Sequence, residues 1–190
     1  MQNEQLPDFV NFLLQPTAYA PAPEAVKLVQ THISYVFITD DFVYKFKKPV
    51  DFGFLDFTTL AKRHQYCRQE LILNRRLCPS IYLDLVALEK INGNFNLTSQ
   101  AHANVDNTVE FGVKMKRMPE ERMMANVIRA GGLNPEMVDA VCDVLVPFYA
   151  KADGGPEIQE FGRPDAVSVN IFENFSQTEG FIGSQSLSKS

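Results

Sequence analysis

The chain has 190 residues, 45% of them hydrophobic, enough for one ordinary core or two small ones. Its formal net charge of −5 offers no general field for phosphate-rich polymers, which argues against a nucleic-acid partner despite the basic runs KFKK (45–48) and KMKR (114–117). No apolar run reaches the ~18 residues a membrane span needs, the acid-bearing start MQNEQLPDF is unlike a secretion signal, and Cys67, Cys78 and Cys142 lack metal-ligand spacing and an even count, so a reducing cytoplasm and no membrane partner are expected.

In chain order, LPDFVNFLLQ places Leu6, Phe9, Val10, Leu13 and Leu14 at helical spacing, and a proline-rich connector, TAYAPAPEAV, follows. VKLVQT, SYVFIT and FVYKFKK then read as three successive strands, with Asp40-Asp41 turning the second into the third. Thr58 and Thr59 are candidate N-caps for a long helix, LAKRHQYCRQELILNRRL, which Pro79 ends. Its stripe is Leu60, His64, Cys67, Leu71 and Asn74. IYLDLVALEKI and FNLTS flank Asn92-Gly93-Asn94, a good hairpin turn, and VEFGVKMKRM is a strand stopped by Pro119. EERMMANVIRAG and PEMVDAVCDVLVPFYAKA read as helices, the second expected to kink or break near Pro147. Beyond Asp153 the composition supports one short helix around 166–175, with Phe161, Ile171, Phe172, Phe175 and Phe181 left exposed and able to drive self-association.

This order predicts an α+β fold: a small, largely antiparallel sheet with one long helix on it, followed by a helical part. The divisions expected are 1–22 for the first helix and connector, 23–118 for the sheet-and-helix lobe, and 119–190 for a partial helical lobe with a flexible tail beyond Asp153.

Within the lobe, Lys45 stands between Tyr44 and Phe46, and strand alternation puts Val43, Lys45 and Lys47 on one face and Phe42, Tyr44 and Phe46 on the other. Glu70 has Tyr66, Cys67, Leu73 and Asn74 three and four residues away, none basic, so its partner lies elsewhere. A sheet followed directly by a helix can bring Lys45 to Glu70, and an ammonium held by a carboxylate is a fixed positive point for an anion such as a nucleotide phosphate. The competing reading takes both as solvated surface charges.

The stretches THIS, VYKFKKPVDFGFLDF, RHQYCRQELILNRRLCPSIYL and VKMKRMPEE, in this order and spacing, resemble the amino-terminal lobe of the aminoglycoside phosphotransferase-like kinases, over roughly residues 17–153. The resemblance implies a protein-kinase-like fold and ATP-dependent transfer of phosphate to a small-molecule hydroxyl, with ATP and Mg²⁺ as cofactors. It makes Lys45 the phosphate-binding lysine, Glu70 the glutamate that orients it, and Val43 the small residue beside adenine. Thr31, His32 and Ser34 would belong to the phosphate-covering loop, and Met115, Lys116, Arg117 and Met118 to the linker whose backbone reads the base. THIS lacks the glycines of a kinase phosphate loop.

The family's His-Gly-Asp catalytic loop has no counterpart, since His32, His64 and His102 are not followed by Gly-Asp or Arg-Asp. No catalytic base and no metal ligand is therefore assigned, and the expectation is a portion of a kinase that ends ahead of that loop. The alternative is a non-catalytic nucleotide-binding or interaction module. Ser34 with His32 makes a poor nucleophile–base pair, two residues apart on a strand, and no Gly-x-Ser-x-Gly elbow occurs. Asp51 and Asp56 bound a segment expected to dock Phe52, Phe54 and Phe57 onto the lobe, His64 is expected to be a hydrogen-bonded core residue, and Arg75 and Arg76 to serve the helix end.

Overall fold

The three strands form as the alternation requires: β1 (Lys27–Gln30), β2 (Ser34–Ile38) and β3 (Phe42–Lys47), each antiparallel to the next. The structure, a computed structural model, describes residues 6–184. Between β2 and β3, Asp40-Asp41 makes the turn, closed by the Thr39 N–H donating to Phe42 O at 2.9 Å. Helix α1 (Asp8–Leu13) precedes the sheet, and α2 (Leu60–Arg75) follows β3. Thr59 caps α2, its hydroxyl accepting from the Lys62 N–H at 3.2 Å.

Strands β4 (Tyr82–Ile91), β5 (Asn94–Ser99) and β6 (Thr108–Lys116) complete one six-stranded antiparallel sheet ordered β1-β2-β3-β6-β4-β5. Asn92 (φ 51°) and Gly93 (φ 86°) both take the left-handed conformation that a tight two-residue hairpin demands. Inserting β6 between β3 and β4 lays Met115 opposite Val43 and Val113 opposite Lys45.

The sheet is covered on both faces. Tyr35, Phe37, Tyr44 and Phe46 pack with Val86 and Leu88 against Val10, Leu13, Ala18 and Tyr19 of the N-terminal segment. Each fully buried aromatic here, such as Phe37 or Phe46, contributes about 1.5–3 kcal/mol of hydrophobic stabilisation. The opposite face receives α2 through Cys67 and Leu71, which pack with Leu85 and Val113. Putting the aromatic side of β3 against α1 is what turns Lys45 and Lys47 toward α2.

The described residues fall into two compact units that divide between Asn134 and Pro135. The first ends with a 3₁₀ turn, Glu120–Arg122, and the short helix α3 (Met124–Arg129), where one longer helix was expected. The second contains α4 (Pro135–Ala150), α5 (Pro156–Phe161) and α6 (Pro164–Glu179). Helix α4 continues through Pro147, so the expected break does not occur. Pro147 lacks a single N–H, so only the Asp143 carbonyl loses its helical donor while the ladder continues on either side. Two helices stand where one short helix was expected after Asp153, each opened by proline at its first turn. Phe161, Ile171, Phe172, Phe175 and Phe181 are all exposed, as expected. No described helix is long and apolar enough to cross a membrane.

Candidate functional site

Helix α2 is fixed to the sheet at its start. The Arg63 Nε donates to both oxygens of Glu110 on β6, at 2.8 and 2.9 Å, and its Nη1 donates to Phe57 O at 3.0 Å. His64 stacks on Phe111, with ring centroids 4.1 Å apart, and bonds Gln100 as expected, but it is half-buried at the edge of the core. One turn on, Cys67 is wholly buried, and desolvation pushes its thiol up to about 12, so it is packing material and not a nucleophile. The buried stripe is Arg63, Cys67 and Leu71; Asn74, placed on it from spacing, is exposed.

The next position along that face carries Glu70. Its Oε1 accepts from Lys45 Nζ at 2.8 Å, the expected pair, and its Oε2 accepts from Lys47 Nζ at 2.7 Å. Burial alone would raise the Glu70 pKa, but the hydrogen bonds from both lysines outweigh it and hold the carboxyl below its usual range. The two ammonium groups differ in access: the Lys45 side chain is 28% exposed and that of Lys47 only 6%. Lys47 also lies over the Phe57 ring, 4.9 Å from its centroid.

Beside this cluster is a largely apolar cavity of about 220 Å³, lined by Ile38, Val43, Tyr82, Met115 and Met118 among others. It includes Val43 and the whole 115–118 segment, residues for which the resemblance implies a place beside adenine. Val43 and Lys45 share a face two residues apart on β3, about 7 Å along the strand. Tyr82 joins cavity and cluster: burial raises its hydroxyl pKa, and the Glu70 charge adds to that. The linker amides of Lys116 and Arg117 are already used, donating to Ile81 O and Asp41 O at 2.8 Å each, while Met118 N–H has no backbone partner among the described residues.

The loop at 31–34 is closed on itself. Thr31 N–H donates to Ser34 O at 2.9 Å, and Thr31 Oγ1 accepts from Ile33 N–H at 3.3 Å. Ser34 is wholly buried, its hydroxyl without a hydrogen-bond partner among the described residues, whereas Thr31 and His32 are exposed. Of the segment bounded by Asp51 and Asp56, Phe57 docks as expected, but Phe52 is 46% and Phe54 78% exposed, stacked on one another at 6.3 Å. The four residues between the bridged Asp51 and Asp56 form a projecting tip, where Phe52, Phe54 and Leu55 line an open apolar pocket with Thr31, His32 and Ile33. The Asp51 side chain accepts from Gly53 N–H, and Asp56 accepts from Thr58 and Lys62, roles that shape the loop. Arg75 donates to the carbonyls of Tyr82 and Leu83, tying the end of α2 to β4.

Lys47, Tyr82 and Ile38 were not singled out from sequence, although the β3 alternation already set Lys47 on the Lys45 face. Among the described residues no group of three or more His, Cys, Asp or Glu side chains converges to hold a metal ion.

No protein-family model matches the chain, and no solved structure gives a significant match. It is similar to the uncharacterized protein Rv2004c of Mycobacterium tuberculosis (strain ATCC 25618 / H37Rv) and the uncharacterized protein Mb2027c of Mycobacterium bovis (strain ATCC BAA-935 / AF2122/97), at 30% identity over 148 residues in each case. The match takes in 78% of this chain and 27% of each relative, so the chain spans roughly a quarter of the length of the curated relatives it matches.

Proposed function

We propose that the first unit is the nucleotide-holding lobe of a phosphotransferase of the aminoglycoside phosphotransferase-like, protein-kinase-like class. The observation that carries this reading is the Lys45–Glu70 pair beside the cavity lined by Val43 and residues 115–118. A third-strand lysine held by a helix glutamate is the arrangement kinases use to grip a triphosphate. The base would enter the cavity between Ile38, Val43, Tyr82 and Met115, and Met118 N–H is the free linker donor that could meet its edge. Its phosphates would then extend along β3 to Lys45, whose ammonium offsets their charge in a partly desolvated position. Ser34 contributes no phosphate contact while it is buried.

ATP-dependent transfer to a small-molecule hydroxyl is the activity we assign to the whole protein. A base to receive the hydroxyl proton and acids to hold Mg²⁺ are needed for it. The described residues supply no converging acidic group, so no step through the metal is derived from them. A non-catalytic nucleotide-binding module is the second reading, and it rests on the same Lys45–Glu70 pair and cavity.

Calorimetry of ATP binding, with and without Mg²⁺, on the chain and on Lys45→Met tests the reading. Binding that disappears in a folded Lys45→Met supports it, and unchanged affinity refutes it. Phosphate release with a panel of hydroxyl acceptors separates the two readings: Lys45-dependent turnover favours the enzyme, and binding without turnover the module.

A further inference from the structure

Lys47 is buried beside a carboxylate that already has a partner, and a salt bridge to Lys45 alone would have completed the pair. Buried lysine is costly, so a second one on the same glutamate calls for an explanation. The groups facing Glu70 are Lys45 and Lys47 from β3, with Cys67 on its own helix and Tyr82 from β4; both of the latter are neutral near pH 7. With both lysines protonated and Glu70 ionised, the cluster carries one net positive charge. With Lys45 and Glu70 alone it would carry none.

The positions of the two ammonium groups divide the labour. Lys47 is enclosed between Glu70 and the Phe57 ring, while Lys45 is the more accessible and stands next to Val43 and the cavity. We propose that Lys47 is a positioning residue that retains Glu70 as a paired carboxylate, freeing the Lys45 ammonium to turn partly from Glu70 onto a nucleotide phosphate. This rests on the nucleotide reading above. Without Lys47, every approach of Lys45 to phosphate would strip a buried carboxylate of its last cation, a costly exchange. Lys47 removes that conflict and keeps the cluster attractive to a polyanion.

The experiment uses the full chain and the variants Lys47→Met, Lys47→Arg and Lys45→Met. Carboxyl carbon NMR follows the titration of Glu70, and calorimetry with Mg²⁺-free ATP follows affinity. In Lys47→Met, Glu70 should titrate at higher pH than in the unaltered chain, and ATP affinity should fall about tenfold, from loss of one nearby positive charge. Lys47→Arg should restore both, an outcome that mere packing on Phe57 would not produce. An unchanged Glu70 titration in Lys47→Met overturns the proposal, as does a raised titration with unchanged ATP affinity. Should Lys47→Met fail to fold, lysine Nζ NMR of the unaltered chain decides: on adding ATP, the Lys45 signal should move while Lys47 stays bonded to Glu70. Movement of the Lys47 signal with Lys45 unmoved refutes the assignment. Lys45→Met that binds ATP as tightly as the unaltered chain strikes the nucleotide reading itself, whereas the Glu70 titration still reports what Lys47 does.

Discussion

Arg63 and Glu110, 47 residues apart, form a buried ion pair that fixes α2 against β6 and so determines where Glu70 stands. Arg63 also donates through Nη1 to the carbonyls of Phe57 and Thr58, which ties the same guanidinium to the segment leading into α2. Burial raises the Glu110 carboxyl, and the hydrogen bonds from Arg63 only partly oppose that. Removing one partner leaves the other charge buried. Arg63→Met is therefore expected to cost about 3–5 kcal/mol in denaturant unfolding. Replacing both residues by apolar ones of similar volume should cost much less, since no charge is then stranded.

Glu70 gives the stability of the first unit a defined acid dependence. Its folded pKa lies below the ordinary value, so its stabilising contribution is full above about pH 4.3. That contribution is lost as pH falls through the depressed folded value. The stability difference between the chain and Glu70→Gln should accordingly shrink on acidification below about pH 4.3. Glu110, shifted upward, should behave in the opposite sense, with its contribution lost as pH rises through the raised folded value. Denaturant melts of Glu70→Gln and Glu110→Gln across the acid range would read both slopes.

Gly112 sits opposite Phe46 where β6 meets β3. A Cβ there would lie 2.9 Å from the Phe46 ring, which is itself wholly enclosed and has no free direction to yield. Gly112→Ala should destabilise the chain by about 1–3 kcal/mol, the usual cost of overpacking. Adding Phe46→Leu should recover part of that loss, because the smaller side chain makes room at the contact. A thermal melt of the two single variants and the double measures the coupling.

Much of this arrangement was legible in the residues. Strand alternation gave the faces of β3, and the absence of a helical partner for Glu70 pointed to Lys45. What stayed hidden has identifiable causes. The Arg63–Glu110 pair has no signature in the sequence, because a buried ion pair leaves no periodic trace when its halves lie on different elements. The sharing of Glu70 by two lysines depends on helix placement to within an ångström or so, which spacing does not convey. Helix α6 runs longer than the 166–175 expected because the regular recurrence of Val167, Ile171 and Phe175 outweighs the turn preference of Asn170, Asn174 and Ser176.

That recurrence has a consequence in solution. Val167, Ile171 and Phe175 follow one another at four-residue steps on α6, and all are exposed, as are Phe161 and Phe172. Exposed apolar stripes of this kind promote association. The isolated chain is expected to self-associate with rising concentration, and Ile171→Ser combined with Phe175→Ser should suppress it. Sedimentation velocity over a concentration series checks this; a monomer at every concentration would exclude α6 as a contact surface.

Val43 offers a way to divide base recognition from phosphate recognition. It lines the cavity opposite Met115, while Lys45 lies one step further along the same face. Val43→Phe would fill part of the 220 Å³ with a ring and leave the Lys45–Glu70–Lys47 cluster intact. If the cavity takes the base, this variant should lose most of its preference for ATP over inorganic tripolyphosphate, while tripolyphosphate affinity stays near that of the unaltered chain. Lys45→Met should do the reverse, weakening both ligands together. The apolar contact at stake is worth about 1–3 kcal/mol, a loss of some ten- to a hundredfold in ATP affinity. Competition calorimetry with the two ligands separates the cases, and equal losses for ATP and tripolyphosphate in Val43→Phe would remove the cavity from the site.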